Sequence, residues 1–253
     1  MILKIDSHFE KYASSLLQIV ENFKTSGLLF GDGKRNTIKL FEFEDLTVNI
    51  KSFKIPHLFN RVVYQYFRKS KARRSYEYAN ALLKKGIGTP QPIAYFENSS
   101  WLGLKDSYYV SEHLEVDLTF RELDIQPDYP DHENILRQFT RFSFDLHEKG
   151  IEFLDHSPGN TLIKNGINGN YSFYLVDLNR MNFDKSMSFE MRMKNLSHLT
   201  TKKEMIRVMS DEYAKLSGVS EEKTFKTLLE LTTSFQERFY RKRRLKKRFM
   251  FWK

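Results

Sequence analysis

The chain has 253 residues, 40% of them hydrophobic and including 22 Phe and 13 Tyr, which suffices for one large domain or for two lobes with packed cores. It contains no cysteine, which excludes a disulfide framework, a Cys-based zinc site and a thiol nucleophile, and fits a reducing compartment. The net charge of +9 is local: residues 238–253 hold nine Lys or Arg and no acid, leaving a neutral body of 32 basic and 32 acidic residues, so one cationic tail rather than a protein basic throughout.

No apolar run reaches the roughly 18 residues of a membrane span. Lys4, Asp6, Glu10 and Lys11 interrupt the apolar pattern of the first 23 residues, unlike a signal peptide, so the protein is expected to stay on the side of the membrane where it is made. Phe9, Tyr12, Leu16, Ile19 and Phe23 recur at helical spacing and predict a helix over 7–23. Residues 28–53 read as strand, glycine turn, strand, turn and strand, with alternation from Thr37 to Phe43 and again from Leu46 to Phe53. A helix is predicted from Lys69 to Lys85, stopped at Gly86 with Pro90 and Pro92 beyond. Strands follow at Ile93–Phe96 and Tyr108–Leu114. Asp131 is a candidate N-cap for a helix through His147, which ends at Gly150. Thr161–Lys164 and Tyr171–Val176 form a short hairpin through the turn NGINGN, and 186–250 reads as two or three helices. Five strands with one main helix, then a helical half, is an α+β layout of two lobes, here residues 1–112 and 113–253, with a hinge near Ser111–Leu114.

The strongest chemical signal is Asp155-His156-Ser157-Pro158-Gly159-Asn160, followed by the hairpin and by Val176-Asp177-Leu178-Asn179. Phosphoryl transfer needs a carboxylate near the attacking hydroxyl and oxygen ligands that hold a metal on the phosphates. An Asp with an Asn five residues later supplies the first carboxylate and one ligand, and a second Asp at a nearby strand end supplies the other, as in the kinase D-x-x-x-x-N…D pattern. Alone, the first loop could be two ordinary turns; the hairpin and Asp177 behind it decide the reading. Upstream, Val48-Asn49-Ile50-Lys51 is similar to the V-A-I-K strand of kinases and Glu77 lies in the next helix, with Lys54 a rival for Lys51. Gly31-Asp32-Gly33 stands where a phosphate-covering loop belongs, although Asn36 occupies the third glycine position and a plain hairpin turn explains it almost as well. Glu112 and Leu114, at the hinge, complete the expected nucleotide contacts.

SKARRSYEYANALLKKGIGTPQPIAYFE (70–97) and DHSPGN…LVDLNRM resemble the bacterial lipopolysaccharide kinases, which phosphorylate Kdo or heptose of the inner core; the resemblance spans roughly residues 28–183. It implies a two-lobed protein-kinase-like fold, a small β-rich N-lobe and a larger helical C-lobe, ATP with Mg²⁺ or Mn²⁺, and a lipid-linked sugar acceptor such as Kdo-lipid A. By the same resemblance Lys51 and Glu77 form the phosphate-orienting pair, Asp155 is the catalytic carboxylate, and Asn160 and Asp177 hold the metal. The chain departs from protein kinases in having Phe153 two residues before Asp155, where they have His, Asp177-Leu178-Asn179 for D-F-G, and no A-P-E. Regulation by activation-loop phosphorylation is therefore not expected.

Two basic segments remain. Arg68, Lys69, Lys71, Arg73 and Arg74 either meet anionic groups of the acceptor or form a solvated helix start. In 238–253, cations mix with Phe239, Tyr240, Leu245, Phe249, Phe251 and Trp252, a composition that suits an anionic membrane surface, a solvated helix end or nucleic acid. A membrane-embedded acceptor favours the first. The expectation is thus a monomeric ATP-dependent kinase of an inner-core sugar, Kdo rather than heptose, cytoplasmic and peripheral at the inner membrane through 238–253, with no nucleic-acid partner. The alternatives are a small-molecule kinase of the aminoglycoside or choline type and a membrane-docked pseudokinase or binding module.

Overall fold

The computed structural model describes residues 2–31, 36–53, 69–100 and 103–250. It divides into two compact units, Met1–Glu115 with Leu175–Arg180, and Val116–Tyr174 with Met181–Lys253.

The first unit is built on a six-stranded sheet in the order β1-β5-β6-β4-β3-β2. Its strands are β1 (Ile2–Ile5), β2 (Leu28–Phe30), β3 (Asn36–Phe43), β4 (Leu46–Phe53), β5 (Pro92–Ser100) and β6 (Gly103–Glu112). The sequence predicts five; β1 is the addition, too short at four residues to show a period, and it pairs antiparallel with β5, Ile2 opposite Glu97 and Ile5 opposite Ala94. Alternation along β4 sends Val48 and Ile50 to one face, where Leu16, Val20 and Phe23 close a core with Ile93, Phe96 and Val110. Phe53 points to the other face, against Ala72, Tyr76 and Tyr95. Residues 7–23, predicted as one helix, are a 3-10 turn (Ser7–Tyr12) capped by Asp6, whose carboxylate accepts the His8 N–H at 3.1 Å, then α1 (Ala13–Glu21). The second face is covered by α2 (Lys71–Lys84), N-capped by the Ser70 hydroxyl, which accepts the Arg73 N–H at 3.0 Å. At the far edge of the sheet, β2 leaves Leu28, Leu29 and Phe30 exposed.

The second unit is mainly helical: α3 (Phe120–Ile125), α4 (His132–Glu148), α5 (Phe189–Leu196), α6 (Lys203–Ser217) and α7 (Glu221–Met250). The short strands β7 (Leu118–Thr119), β9 (Thr161–Asn165) and β10 (Tyr171–Leu175) form one sheet, and β8 (Glu152–Phe153) pairs with β11 (Met181–Asn182). Asp131 stands at the start of α4 as predicted, but its backbone is left-handed (φ 59°) and its carboxylate accepts from Asn134 and the Tyr171 hydroxyl instead of capping a helix N–H. The core centres on Phe139, whose ring lies 4.4 Å from Phe120 and 5.7 Å from both Phe173 and His156, centroid to centroid. Among the described residues no helix is long and apolar enough to cross a membrane.

Phe139→Ala should lower unfolding stability by about 3–5 kcal/mol, since the cavity would be walled by rings that cannot collapse into it. Denaturant titration followed by tyrosine fluorescence measures this; a loss below about 1 kcal/mol would show that the aromatic cluster repacks freely.

Candidate active site

In the first unit, Lys51 sits on β4 facing the side that α2 covers. Its Nζ lies 2.9 Å from Asp177 Oδ1, with the lysine side chain 14% and the aspartate 38% exposed. Asp177 Oδ1 also accepts the Asn179 amide at 2.6 Å. The Leu175–Arg180 segment is further fastened to this unit: Leu175 N–H donates to the Gly88 carbonyl at 2.9 Å, Thr89 Oγ1 donates to the Leu175 carbonyl at 2.7 Å, and Arg74 Nη1 to the Asn179 carbonyl at 2.6 Å. Asp177 itself has a left-handed backbone, φ 59°, a conformation that Asp and Asn tolerate better than most residues.

The expected pairing of Lys51 with Glu77 is not the one observed. Glu77 is bound by Lys69 at 2.7 Å and by Arg73 at 2.9 Å. Arg73 is one helical turn away on α2, so it reaches the carboxylate without any long-range constraint. Burial would raise the Glu77 carboxyl, but the bonds from Lys69 and Arg73 outweigh it and hold the group below its usual range. The basic stretch divides accordingly: Lys69 and Arg73 serve Glu77, and Arg74 is buried on the Asn179 carbonyl. Of the expected nucleotide contacts, Gly31 follows β2 at φ 84° with open space about it. Glu112 ends β6 with its N–H on the Gln91 carbonyl at 2.9 Å, and Leu114 is half-buried just beyond. Gly33, Lys54 and Arg68 lie outside the described residues.

In the second unit, Asp155 to Asn160 form a tight loop after β8. The His156 N–H donates to the Phe153 carbonyl at 3.1 Å, and the Asn160 N–H to Ser157 at 2.9 Å. Asn160 Nδ2 donates to the Asp155 carbonyl at 2.8 Å, which commits the amide N–H and leaves the amide oxygen as an available ligand. The loop is held by a buried polar chain. Asn195 Nδ2 donates to the Phe153 carbonyl at 2.7 Å, while its Oδ1 accepts from His156 Nδ1 at 3.0 Å and His147 Nε2 at 3.2 Å. An amide oxygen only accepts, so each imidazole carries its proton on the nitrogen facing Asn195. His147 Nδ1 is then an acceptor, and the Tyr213 hydroxyl donates to it at 3.0 Å. Burial outweighs the bond to Asn195 in both rings and pushes His147 down to about 3 and His156 down to about 4. Both are neutral at ordinary pH. His156 Nε2 has no hydrogen-bond partner among the described residues, and the ring is stacked on Phe153.

A model of the lipopolysaccharide kinase (Kdo/WaaP) family matches residues 41–219. The chain belongs to this family. It is therefore a sugar kinase, a phosphotransferase of lipopolysaccharide biosynthesis, and membership of a kinase family implies use of ATP. The matched span contains Lys51, Glu77, Asp155, Asn160 and Asp177. A solved structure, WaaP in complex with acyl carrier protein, aligns over 96% of this chain and 99% of that chain with a TM-score of 0.65 at 15% identity, which shows the shared kinase-like fold. No curated protein matches.

Two residues that hold the Asp155–Asn160 loop escape a reading of the sequence. Asn195 and His147 stand in helices with no motif about them, and only the folded chain brings them to Phe153 and His156. Arg121, whose guanidinium lies against Gly159, follows Thr119, which with Glu122 forms the capping box that marks the start of α3.

The two histidines set a pH dependence. Their folded pKa values are depressed, so the unfolded chain binds more protons below pH 6.5 and stability falls as pH drops from 6.5 towards 4. At about 1.4 kcal/mol per pKa unit, each contributes a loss of about 2 kcal/mol by about pH 5. Urea unfolding across this range should show the slope, and His156→Gln should flatten it by about one proton. An unchanged slope in that variant would mean that His156 is not held neutral by burial.

Proposed function

We propose that the kinase transfers the γ-phosphate of ATP to a hydroxyl of an inner-core lipopolysaccharide sugar, Kdo rather than heptose. The observation that carries this is the pairing of Lys51 with Asp177 at 2.9 Å on the first unit, inside a family match that also spans the Asp155–Asn160 loop. Lys51 is the cation for the α- and β-phosphates, and in this structure Asp177 rather than Glu77 keeps its ammonium in place. Asp155 orients or deprotonates the acceptor hydroxyl. The Asn195–His156 chain supports that role by fixing the loop backbone while adding no charge of its own.

Each of the two oxygen donors is of the kind that a hard divalent cation takes. Asn160 has its amide oxygen available, and among the described residues Asp177 is engaged through Oδ1 alone, which leaves Oδ2 for a second ligand contact. Asn160 and Asp177 would hold Mg²⁺ or Mn²⁺, which when bound neutralises charge on the phosphates. Charge supports the choice of Kdo: an acidic sugar suits the exposed cations Arg121 and Lys194 of the second unit.

The protein is further proposed to work as a peripheral protein at the cytoplasmic face of the inner membrane. α7 exposes Arg238, Phe239, Tyr240, Arg241, Lys242, Arg243, Arg244 and Leu245, so cations and amphipathic rings occur on one helix end, as at interfaces with anionic lipid. WaaP was solved with acyl carrier protein, so a protein partner of that type is the competing occupant to test on the same helix.

Radiolabelled ATP with Mg²⁺ and purified Kdo-lipid A should give labelled lipid. Asp155→Ala should reduce the rate by about 10²–10⁴-fold, and Asp177→Asn should abolish transfer, both with unchanged melting curves. Full transfer by either variant would overturn its assigned role; label appearing in a heptose-containing acceptor but not in Kdo-lipid A would replace Kdo by heptose. Deleting residues 238–253 should release the protein from anionic vesicles in sedimentation while leaving transfer to detergent-dispersed acceptor intact. Vesicle binding that survives the deletion would remove the tail from the account.

A further inference from the structure

Arg121 is a cation placed against the Asp155–Asn160 loop, with no acid paired to it among the described residues. The two carboxylates nearest to it along α3 are occupied: Glu122 accepts the Thr119 N–H in the capping box, and Asp124 accepts the Thr200 hydroxyl at 2.6 Å. Arg121 makes no hydrogen bond or ion pair among the described residues. Its side chain is exposed yet located. Nη2, Cζ and Nε lie 2.7, 3.3 and 3.4 Å from the point that a Cβ on residue 159 would occupy, so the guanidinium rests on Gly159 itself. Gly159 is next to Asn160 and four residues from Asp155.

This placement is rigid. Thr200 holds α3 through Asp124, and Asn195, five residues earlier, holds the loop through the Phe153 carbonyl at 2.7 Å. α3, the loop and the 195–200 segment are therefore joined by hydrogen bonds within the second unit, which keep the backbone of Arg121 beside that of the loop. An acidic or phosphorylated sugar is an anion, and the planar fork of a guanidinium matches a carboxylate or a phosphate with two parallel hydrogen bonds.

We propose that Arg121 is the acceptor-anion residue of this kinase: it binds the carboxylate or a phosphate group of the sugar acceptor and thereby sets the acceptor hydroxyl beside Asp155. The assignment rests on the catalytic role given to Asp155 above. It also explains the glycine at 159, since a methyl group there would push the guanidinium off its seat.

The test is steady-state transfer from ATP to Kdo-lipid A by the full chain and by R121Q, R121K and G159A. R121Q should raise the KM for the acceptor by about tenfold to a hundredfold and leave the KM for ATP unchanged. R121K should recover part of the loss, and G159A should behave as a weaker R121Q. Repeating the comparison with acceptor stripped of its lipid phosphates, and with acceptor whose Kdo carboxylate is amidated, identifies the anion, because the difference between wild type and R121Q disappears for the form that lacks it. An unchanged acceptor KM in R121Q overturns the proposal, as does a rise confined to the KM for ATP, which would move Arg121 to the nucleotide. Should wild type transfer nothing to Kdo-lipid A, the function reading fails; Arg121 is then judged by nucleotide-free binding of Kdo-lipid A, where equal affinity of wild type and R121Q overturns the proposal.

Discussion

Three hydrogen bonds to one side chain hold the Asp155–Asn160 loop in shape. The Asn195 amide faces two imidazoles with its oxygen and one main-chain carbonyl with its nitrogen, all of them buried. In a setting that excludes water each of these groups would be costly to leave unpaired, so the four parts stand or fall as a set. The arrangement is also electrically quiet. Neutral rings beside an amide add no charge of their own to the loop that carries Asp155. A protein kinase places a histidine two residues before the catalytic aspartate; here Phe153 fills that slot and contributes its carbonyl, while the histidine has moved to the far side of the aspartate and into the core.

The first unit solves a different problem, that of carrying Asp177 on a segment distant in sequence from its sheet. Lys51 and Asp177 are separated by 126 positions, and the Leu175–Arg180 segment joins the sheet unit through Gly88, Thr89 and Arg74. All three anchors lie on α2 or in the turn that follows it. The G-I-G-T-P stretch after α2, which reads in the sequence as a helix stop, is thus also the socket for the segment that bears the metal-ligand candidate.

Much of the layout was legible because it is periodic. Alternation from Thr37 to Phe43 and from Leu46 to Phe53 marked β3 and β4, and the NGINGN turn marked the hairpin of β9 and β10. The loop from Asp155 to Asn160 was legible as chemistry, because its residue types and spacing have few other uses together. What stayed hidden has no period or no neighbour in sequence. β1 is four residues long, and the bonds of Asn195 to His147 and Phe153 cross more than forty positions. The partners of Glu77 are of another kind: Arg73 lies at the i−4 position, so that pairing is local and visible in the sequence.

Asp177 is held at φ 59°, which has a consequence for how this enzyme could lose its activity. Most side chains are strained there by about 1 kcal/mol or more, whereas asparagine shares the tolerance of aspartate. Exchange of one carboxylate oxygen for an amide nitrogen would therefore remove the charge and keep the backbone at ease. With the metal-holding role proposed for Asp177, a folded but silent relative of this kinase lies a single substitution away, its sheet, helices and loop giving no outward sign of the change.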